Sequence, residues 1–379
     1  MSAELEHVDL EKRGKEIEEA LHALRTMIHN AAADFYEKYG QRLKITITEI
    51  TLAILTIFFA TIVYAADPTV AYNFVSSDIP IPNQPGRVAF AEDIDDDGTL
   101  LANVALNGIS NIFIDPANTR VPSVFFSCGG DTSSTTIERG KTVGACTQTN
   151  SGERKEFGFV RYKNGNYLLL DFPGSDGTMA RGLTNNAVVG QVLKKLCEGA
   201  GCPGALSYRF KGFIWHPETN SYAEIDFNRP NAFVDLIQVN KQGKILGQYL
   251  IVDLGNNILE SGWFLYDNGQ FELPFPIDHS NTGGDSIFVT DINDEGTALL
   301  IRRVNGQVKI QLWDDGVFFD VTGMPSLWIP INVRGMNNSG QFVGSYCVVV
   351  PDPVHGSRCE YHGFTATPAP VHVARGAKK

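Results

Sequence analysis

Six copies of one short phrase recur along residues 94–344, and they limit what this chain can fold into more than any other feature. The phrase is an apolar residue, an Asn/Asp-rich turn, a Gly, and then two or three apolar residues, often with a second Gly. It reads Ile94-Asp95-Asp96-Asp97-Gly98, Ile137-Glu138-Arg139-Gly140 and Leu183-Thr184-Asn185-Asn186 in the first half. It returns as Val239-Asn240-Lys241-Gln242-Gly243, Ile292-Asn293-Asp294-Glu295-Gly296 and Met336-Asn337-Asn338-Ser339-Gly340. With Asn186 standing in for the first Gly of the third copy, the steps are 42, 46, 57, 53 and 44 residues. That period belongs to radial arrays of four-stranded blades rather than to helical solenoids.

A second phrase interleaves with the first. An aromatic strand opens at Phe113, Phe159, Phe213, Trp263, Trp313 and Phe364, and Gly158, Gly212, Gly262 and Gly363 precede four of these. Apolar and polar residues alternate around each, as in Gly158-Phe159-Val160-Arg161-Tyr162. Asn164-Gly165, Asn268-Gly269 and Asp315-Gly316 follow, and such pairs suit hairpins because both residues tolerate positive φ. The pattern predicts antiparallel β-structure after residue 67, with Val192–Leu196 able to make one helical turn at most.

These phrases resemble the HAF-type extracellular repeat family of bacterial surface proteins. The Gly-Phe strands, Leu170-Asp171-Phe172-Pro173-Gly174 and the run from Gly335 to Gly344 carry the resemblance, which covers about residues 68–368. The copy at Ile137 departs by lacking the Asn, and the one at Leu183 by lacking the first Gly. The resemblance implies a β-propeller-like, extracytoplasmic protein, and it carries no agreed reaction and no catalytic residues.

The two ends of the repeat region complement each other. Tyr72-Asn73-Phe74-Val75-Ser76 looks like the second half of a blade, and Gly363-Phe364-Thr365-Ala366 lacks such a half. Closing the last blade with the first segment would remove the open edges that invite aggregation. The expected fold is therefore all-β: a six-bladed propeller over 67–368, followed by a basic tail over 369–379. Five or seven blades are the alternatives if the copy at Ile137 is misassigned.

An N-terminal appendage completes the expected fold class. Residues 1–44 place Leu10, Ile17, Leu21, Leu24, Ile28, Ala31 and Phe35 at 4-3 spacing, which predicts an amphipathic helix able to self-associate as a coiled coil. Residues 45–66 include the uncharged run Ile50–Ala66 and are long enough for a transmembrane helix. Lys38, Arg42 and Lys44 before it orient the N-terminus to the cytoplasm and the propeller to the periplasm or exterior. The rival expectation is a signal peptide cleaved after Ala65, which would release a secreted protein; translation from Met27 would favour it. A pilin-like segment headed by Glu49 is a third.

Cysteine placement agrees with an oxidising compartment. Cys128 and Cys146, Cys197 and Cys202, and Cys347 and Cys359 lie beyond the apolar segment as near neighbours, and local disulfides are the simplest pairing. A metal centre is disfavoured, since no Cys-x-x-Cys occurs and no His stands at ligand spacing. Asp93, Asp95 and Asp97 form the first half of a calcium loop, with Asp291-Ile292-Asn293-Asp294-Glu295-Gly296 nearly doing so. The bidentate Glu of such loops is missing, Val104 and Arg302 standing in its place. The same residues serve as ordinary repeat turns, so no cofactor is expected and calcium is the one candidate.

No catalytic constellation emerges. His216, His279, His355 and His362 are scattered, and Ser339 lacks a nucleophile elbow. Trp328, in the Pro-flanked loop Met324–Pro330, is the candidate exposed contact. Residues beyond 49 carry a net charge of −9, which gives no basic field for nucleic acid. The function expected is a membrane-anchored extracytoplasmic binding or assembly module for a protein or surface polymer. The alternative is a propeller hydrolase or lyase, on glycans for example, with its site in the central hollow.

Overall fold

The structure is a computed structural model, and it describes residues 26, 68–81, 88–106, 109–115, 124–126, 128, 130–150, 153–195, 208–227, 229–253, 257–275, 286–304, 306–352 and 355–370. The chain divides into two compact units, Met1–Asp67 and Pro68–Lys379.

In the second unit the described strands fall into six four-stranded antiparallel sheets in chain order, each with its first strand innermost; short parallel pairings join the second sheet to the third and the fifth to the sixth, and Ile79–Pro80 with Val88–Ala89 makes a separate two-stranded sheet. Sheet one holds Ala91–Ile94, Leu100–Leu106, Ile109–Asp115 and Val124–Phe126; sheet two holds Asp131–Glu138, Lys141–Asn150, Glu153–Arg161 and Tyr167–Leu170. Sheet three holds Gly177–Leu183, Val188–Lys195, Tyr208–His216 and Ser221–Ile225; sheet four holds Ala232–Val239, Ile245–Val252, Ile258–Asp267 and Gln270–Glu272. Sheet five holds Ser286–Ile292, Ala298–Val304, Gln307–Asp314 and Val317–Thr322. Sheet six takes Ile329–Met336, Phe342–Asp352 and Gly356–Pro368 from the C-terminal side, and Thr69–Ser76 supplies its fourth strand.

That fourth strand closes the ring. Tyr72–Ser76 pairs antiparallel with Phe364–Pro368, while Thr69–Ala71 pairs parallel with Asp320–Thr322 of sheet five. The Tyr72 ring lies 4.9 Å from Phe342, and its hydroxyl donates to the Gly340 carbonyl at 3.0 Å. Tyr72–Ser76 thus covers the edge of Phe364–Pro368 that would otherwise stand open, the hazard that closure removes.

Both repeat phrases acquire physical meanings. The second Gly receives an aromatic ring from the facing strand: Gly190 opposes Phe213, Gly247 opposes Phe264, and Gly344 opposes Phe364. A Cβ at Gly247 would come within 2.6 Å of the Phe264 ring, and all three rings are fully buried. In sheet four the ring that fills this place is Phe264, one residue beyond the Trp263 marked by the sequence spacing. The Asn/Asp phrase is the turn between the first two strands. Asn337 Oδ1 accepts from the backbone N–H of Ser339 and Gln341 at 3.1 and 3.0 Å, and Gly340 adopts φ 74°. Asn293 makes the same pattern with Glu295 and Thr297.

These turns also join the sheets to one another. Asn337 Nδ2 donates to the Asp95 carbonyl at 3.1 Å, and Asn240 Nδ2 donates to the Asn293 carbonyl at 3.2 Å. Asp95 accepts from Arg139 and Gly140 N–H, Lys141 Nζ reaches Asn185, Leu183 N–H reaches Gln238, and Asp294 N–H reaches Asn338. Every neighbouring pair, including sheets six and one, is bonded this way, so the sheets form a closed, β-propeller-like ring. Apolar cores fill the spaces between sheets: Leu246, Trp263 and Leu265 of sheet four pack on Val289, Leu300 and Trp313 of sheet five. Val343 of sheet six packs on Ala91 and Ile94 of sheet one.

The expected fold class needs correction. Apart from Thr26, whose backbone is helical, the described residues form strands and turns, so the fold they show is all-β without the two helices. No helix among the described residues is long and apolar enough to cross a membrane. The segments 1–44 and 45–66 assigned to those helices lie outside the described residues, apart from Thr26, and the tail 371–379 does so too. Val192–Lys195, thought able to make a helical turn, continues a strand.

Candidate functional site

A β-bulge interrupts the innermost strand of every sheet at the same place, just before the apolar residue of the repeat phrase. Bulges leave one residue out of the ladder and re-aim it. The residues so displaced are Glu92, Thr135, Arg181, Ile237, Thr290 and Arg334, and all six line a central hollow of about 200 Å³. Glu92 faces Arg334 at 3.3 Å, and Arg181 faces Asp235 at 3.4 Å. Burial raises the Glu92 carboxyl above its ordinary range, against the pull of Arg334. The Thr135 and Thr136 hydroxyls donate to the Arg181 carbonyl at 2.6 and 2.7 Å, which fixes that backbone.

The next residues along, Asp93, Thr136, Gly182, Gln238, Asp291 and Gly335, tighten the axis. Asp93 accepts from the N–H groups of Ile94 and of Ile137 on the following sheet, at 2.8 and 2.7 Å. Asp291 repeats this with Ile292 and Met336, at 2.7 and 2.6 Å. Burial pushes the Asp93 carboxyl well above the carboxylate range, and the nearby charge of Asp291 adds to the effect. Burial likewise pushes Asp291 up to about 7, although its backbone N–H donors favour the charged form. Gly182 and Gly335 leave the room that Gln238 and Asp93 occupy, since a Cβ on either would collide with them.

The candidate calcium residues are spent in the ring. Asp93 and Asp95 hold the backbone of sheet two, and Asp97 Oδ1 accepts from Thr99 N–H at 2.9 Å within its own turn. Among the described residues no three His, Cys, Asp or Glu side chains converge as a metal site would require.

Where the innermost strands begin, sheets three to five open into a groove of about 420 Å³. Phe210, Phe233, Tyr249, Trp263 and Phe288 supply its aromatic walls, and Gln191, Asp235, Gln248 and Ser261 its polar groups. Phe210 and Phe233 stand 6.0 Å apart, and the indole of Trp263 is fixed by its bond to the Ile287 carbonyl at 2.8 Å. Phe288 is 54% exposed, and Ile258, which also lines the groove, is 40% exposed. Among the described residues lining the groove Asp235 is the only carboxylate, and burial pushes it up to about 6 despite Arg181. Trp263 lines both groove and hollow, so the Arg181–Asp235 pair and this indole stand between the two spaces.

Other singled-out residues fall elsewhere. Trp328 is half-buried and stacks on Tyr346 at 3.6 Å, so it belongs to the core of sheet six, and its neighbour Leu327 is the exposed one at 77%. His362 stacks on Tyr346 and lies 2.8 Å from Asp78, while His216 and His355 are exposed and apart. Cys128–Cys146 and Cys347–Cys359 form disulfides. Cys197, Cys202 and His279 lie outside the described residues. Gly262, Trp263, Asp93, Asp291 and Gly335 belong to sequence motifs, as repeat or calcium-loop positions; most groove and hollow residues belong to none. Their signal was positional: each hollow residue stands two places before the apolar residue that opens a repeat phrase.

The chain is similar in structure to several solved proteins at 9–10% sequence identity. Dipeptidyl peptidase 4 of Porphyromonas gingivalis matches over 73% of this chain and 46% of its own, with a TM-score of 0.39 and 9% identity. TolB of Acinetobacter baumannii matches over 78% and 64%, with a TM-score of 0.39 and 10% identity. A subtype N11 neuraminidase-like protein of A/flat-faced bat/Peru/033/2010 (H18N11) matches over 80% and 99%, again at 0.39 and 10%. The chain thus spans about half to two thirds of the length of the first two. No family model and no curated protein matches it.

Proposed function

We propose that this protein is an extracytoplasmic binding or assembly module whose partner, a protein or a surface polymer, seats in the groove across sheets three to five. The observation that carries this is the groove itself: five aromatic residues wall a concave space at one mouth of the ring, with exposed Phe288 and Ile258 among its lining. Its volume of about 420 Å³ falls within the range of ~300–1,000 Å³ common to ligand pockets, and exposed apolar groups beside such a space mark contact sites. Two disulfides, at sequence separations of 18 and 12, fit an oxidising compartment outside the cytoplasm. The resemblance to HAF-type surface repeats supports the same location.

The hollow is less suited to chemistry. Asp93 and Asp291 are each held by two backbone N–H groups, and Glu92 faces Arg334, so these carboxylates serve the ring. The test is retention of the full-length protein on separated envelope polymer and envelope protein fractions, with Phe288→Ser as the comparison. Retention on either fraction, lost with Phe288→Ser and without release of fragments, supports a binding module. Steady release of polymer or peptide fragments would show an enzyme, and retention unchanged by Phe288→Ser would move the site away from the groove.

A further inference from the structure

We infer that the central hollow binds a small dicarboxylate, with one carboxylate on Arg181 and the other on Arg334. The inference goes beyond the groove reading and does not depend on it.

The two arginines stand on opposite sides of the ring. Six sheets follow one another in chain order around the axis, so sheet three, which carries Arg181, lies three places from sheet six, which carries Arg334. Both line the hollow, and their side chains keep 33% and 48% of their surface accessible. Each meets a carboxylate at one long contact. Arg181 Nη2 lies 3.4 Å from Asp235 Oδ2, and Arg334 Nε lies 3.3 Å from Glu92 Oε2, against the ~2.7–2.9 Å of a charge-assisted hydrogen bond. Nη1 of Arg181 and both Nη groups of Arg334 make no hydrogen bond among the described residues.

The uncharged donors of the lining are already engaged. Thr135 and Thr136 donate to the Arg181 carbonyl, Thr290 to the Leu299 carbonyl, and the Trp263 indole to the Ile287 carbonyl. Gln238 bonds Asp291. What the hollow leaves unmet is therefore N–H donors on positive groups, and these call for an anionic acceptor. A carboxylate meets the planar fork of a guanidinium with two oxygens, whereas an ammonium would be repelled. Two such forks on opposite sides match one molecule with a carboxylate at each end. Burial raises the Glu92, Asp93 and Asp291 carboxyls above their ordinary range, which lessens the repulsion that an entering anion meets. Ile237 and Trp263 give the carbon chain between the two ends an apolar wall. The hollow's volume of about 200 Å³ lies below the ~300–1,000 Å³ common to ligand pockets, so the molecule is short.

The experiment is calorimetry of the full-length protein with malonate, succinate, glutarate and adipate, beside acetate, sulfate and inorganic phosphate. At least one dicarboxylate is expected to bind more tightly than all three comparison anions, and about tenfold to a hundredfold more weakly after Arg334→Gln. Arg334 is half exposed, so that variant should keep the melting transition of the parent. Arg334→Lys, which keeps the charge and loses the fork, gives a second readout and should also weaken binding. Arg154→Gln, at a surface arginine outside the hollow, should bind as the parent does. No dicarboxylate binding at millimolar concentration, equal binding of acetate, sulfate or phosphate, or binding indifferent to Arg334→Gln overturns the inference. Dicarboxylate binding by a protein that no envelope fraction retains would uphold the inference and defeat the groove reading, and the reverse pattern would do the opposite.

Discussion

The carboxylate of Asp93 occupies the space that a side chain at position 335 would need. A Cβ on Gly335 would overlap Asp93 Oδ1 and come within 2.7 Å of its Cα. Gly335→Ala must therefore push Asp93 away from the Ile94 and Ile137 N–H groups that it bonds. Overpacking a dry core and disturbing such bonds together should cost about 3 kcal/mol in urea denaturation. Gly165, with φ 90° and nothing within 4 Å of an added Cβ, serves as comparison. Its Ala variant should lose only about 1 kcal/mol. Equal losses would mean that the Gly335 contact relaxes freely.

Asn337→Asp should weaken the seam between sheets six and one. The amide donates to the Asp95 carbonyl and to Gln341 Oε1, and a carboxylate can do neither. The new charge would be buried facing a carbonyl oxygen. The expected loss is about 2–3 kcal/mol at pH 7, shrinking near pH 4 where the protonated acid can donate again. A pH-independent loss would argue against the donor role.

Glu138 should make stability fall as pH rises. Burial pushes its carboxyl up to about 7 from 4.5, and Oε2 has no hydrogen-bond partner. Between those values the folded state holds a proton that the unfolded state has released, so the group's contribution is full below about 4.5 and lost above about 7. Asp235, pushed up to about 6, and Asp291, up to about 7, act in the same direction. Glu138→Gln should flatten the slope across this window and stabilise the protein at pH 8 by on the order of 1–3 kcal/mol. Denaturation at pH 5 and pH 8 decides it; an unchanged difference between the two would refute the assignment.

Closure of sheet six makes Tyr72 expensive to lose. Tyr72→Ala removes a buried ring, its packing on Phe342 and its bond to Gly340, which should cost about 3–5 kcal/mol. A chain lacking residues 1–77 should associate through the exposed edges of sheets five and six, visible as high-mass species in light scattering. A monomer with an unchanged transition would show that the fourth strand is dispensable.

The two disulfides should contribute comparably. Their loops of 18 and 12 residues each restrict the unfolded chain by about 3 kcal/mol on the loop-entropy scale. Replacing Cys347 and Cys359 by Ser should lower the denaturation midpoint in non-reducing buffer, and dithiothreitol should then lower it again through Cys128–Cys146. No further shift with reductant would mean that the first bridge adds nothing.

Much of the ring was legible because its rules are local. An Asn-x-x-Gly turn needs an amide to accept its own backbone and a residue free at positive φ, and both are written in consecutive residues such as Asn337 to Gly340. The Gly-aromatic match between facing strands is half visible: the spacing points to Trp263, whereas Phe264 fills the space at Gly247. A shift of one residue in a strand exchanges the two faces, and spacing alone does not say which face meets the neighbouring sheet. The prolines flanking Trp328 point to an exposed loop, yet packing on Tyr346 draws the indole inward.

By itself, the sequence determined the antiparallel strands, the period of the repeat, the pairing of the first segment with the last Gly-Phe strand, and two local disulfides. All follow from residues whose conformational preferences act over a few positions or repeat in register. Only the tertiary structure decided what faces the axis. The bulge before each repeat phrase turns Glu92, Arg181 and Arg334 inward, and the meeting of sheets three and four sets Asp235 against Arg181, 54 residues away in the chain. Bulges and inter-sheet contacts depend on how six sheets fit around one axis, a constraint that no short stretch of sequence carries.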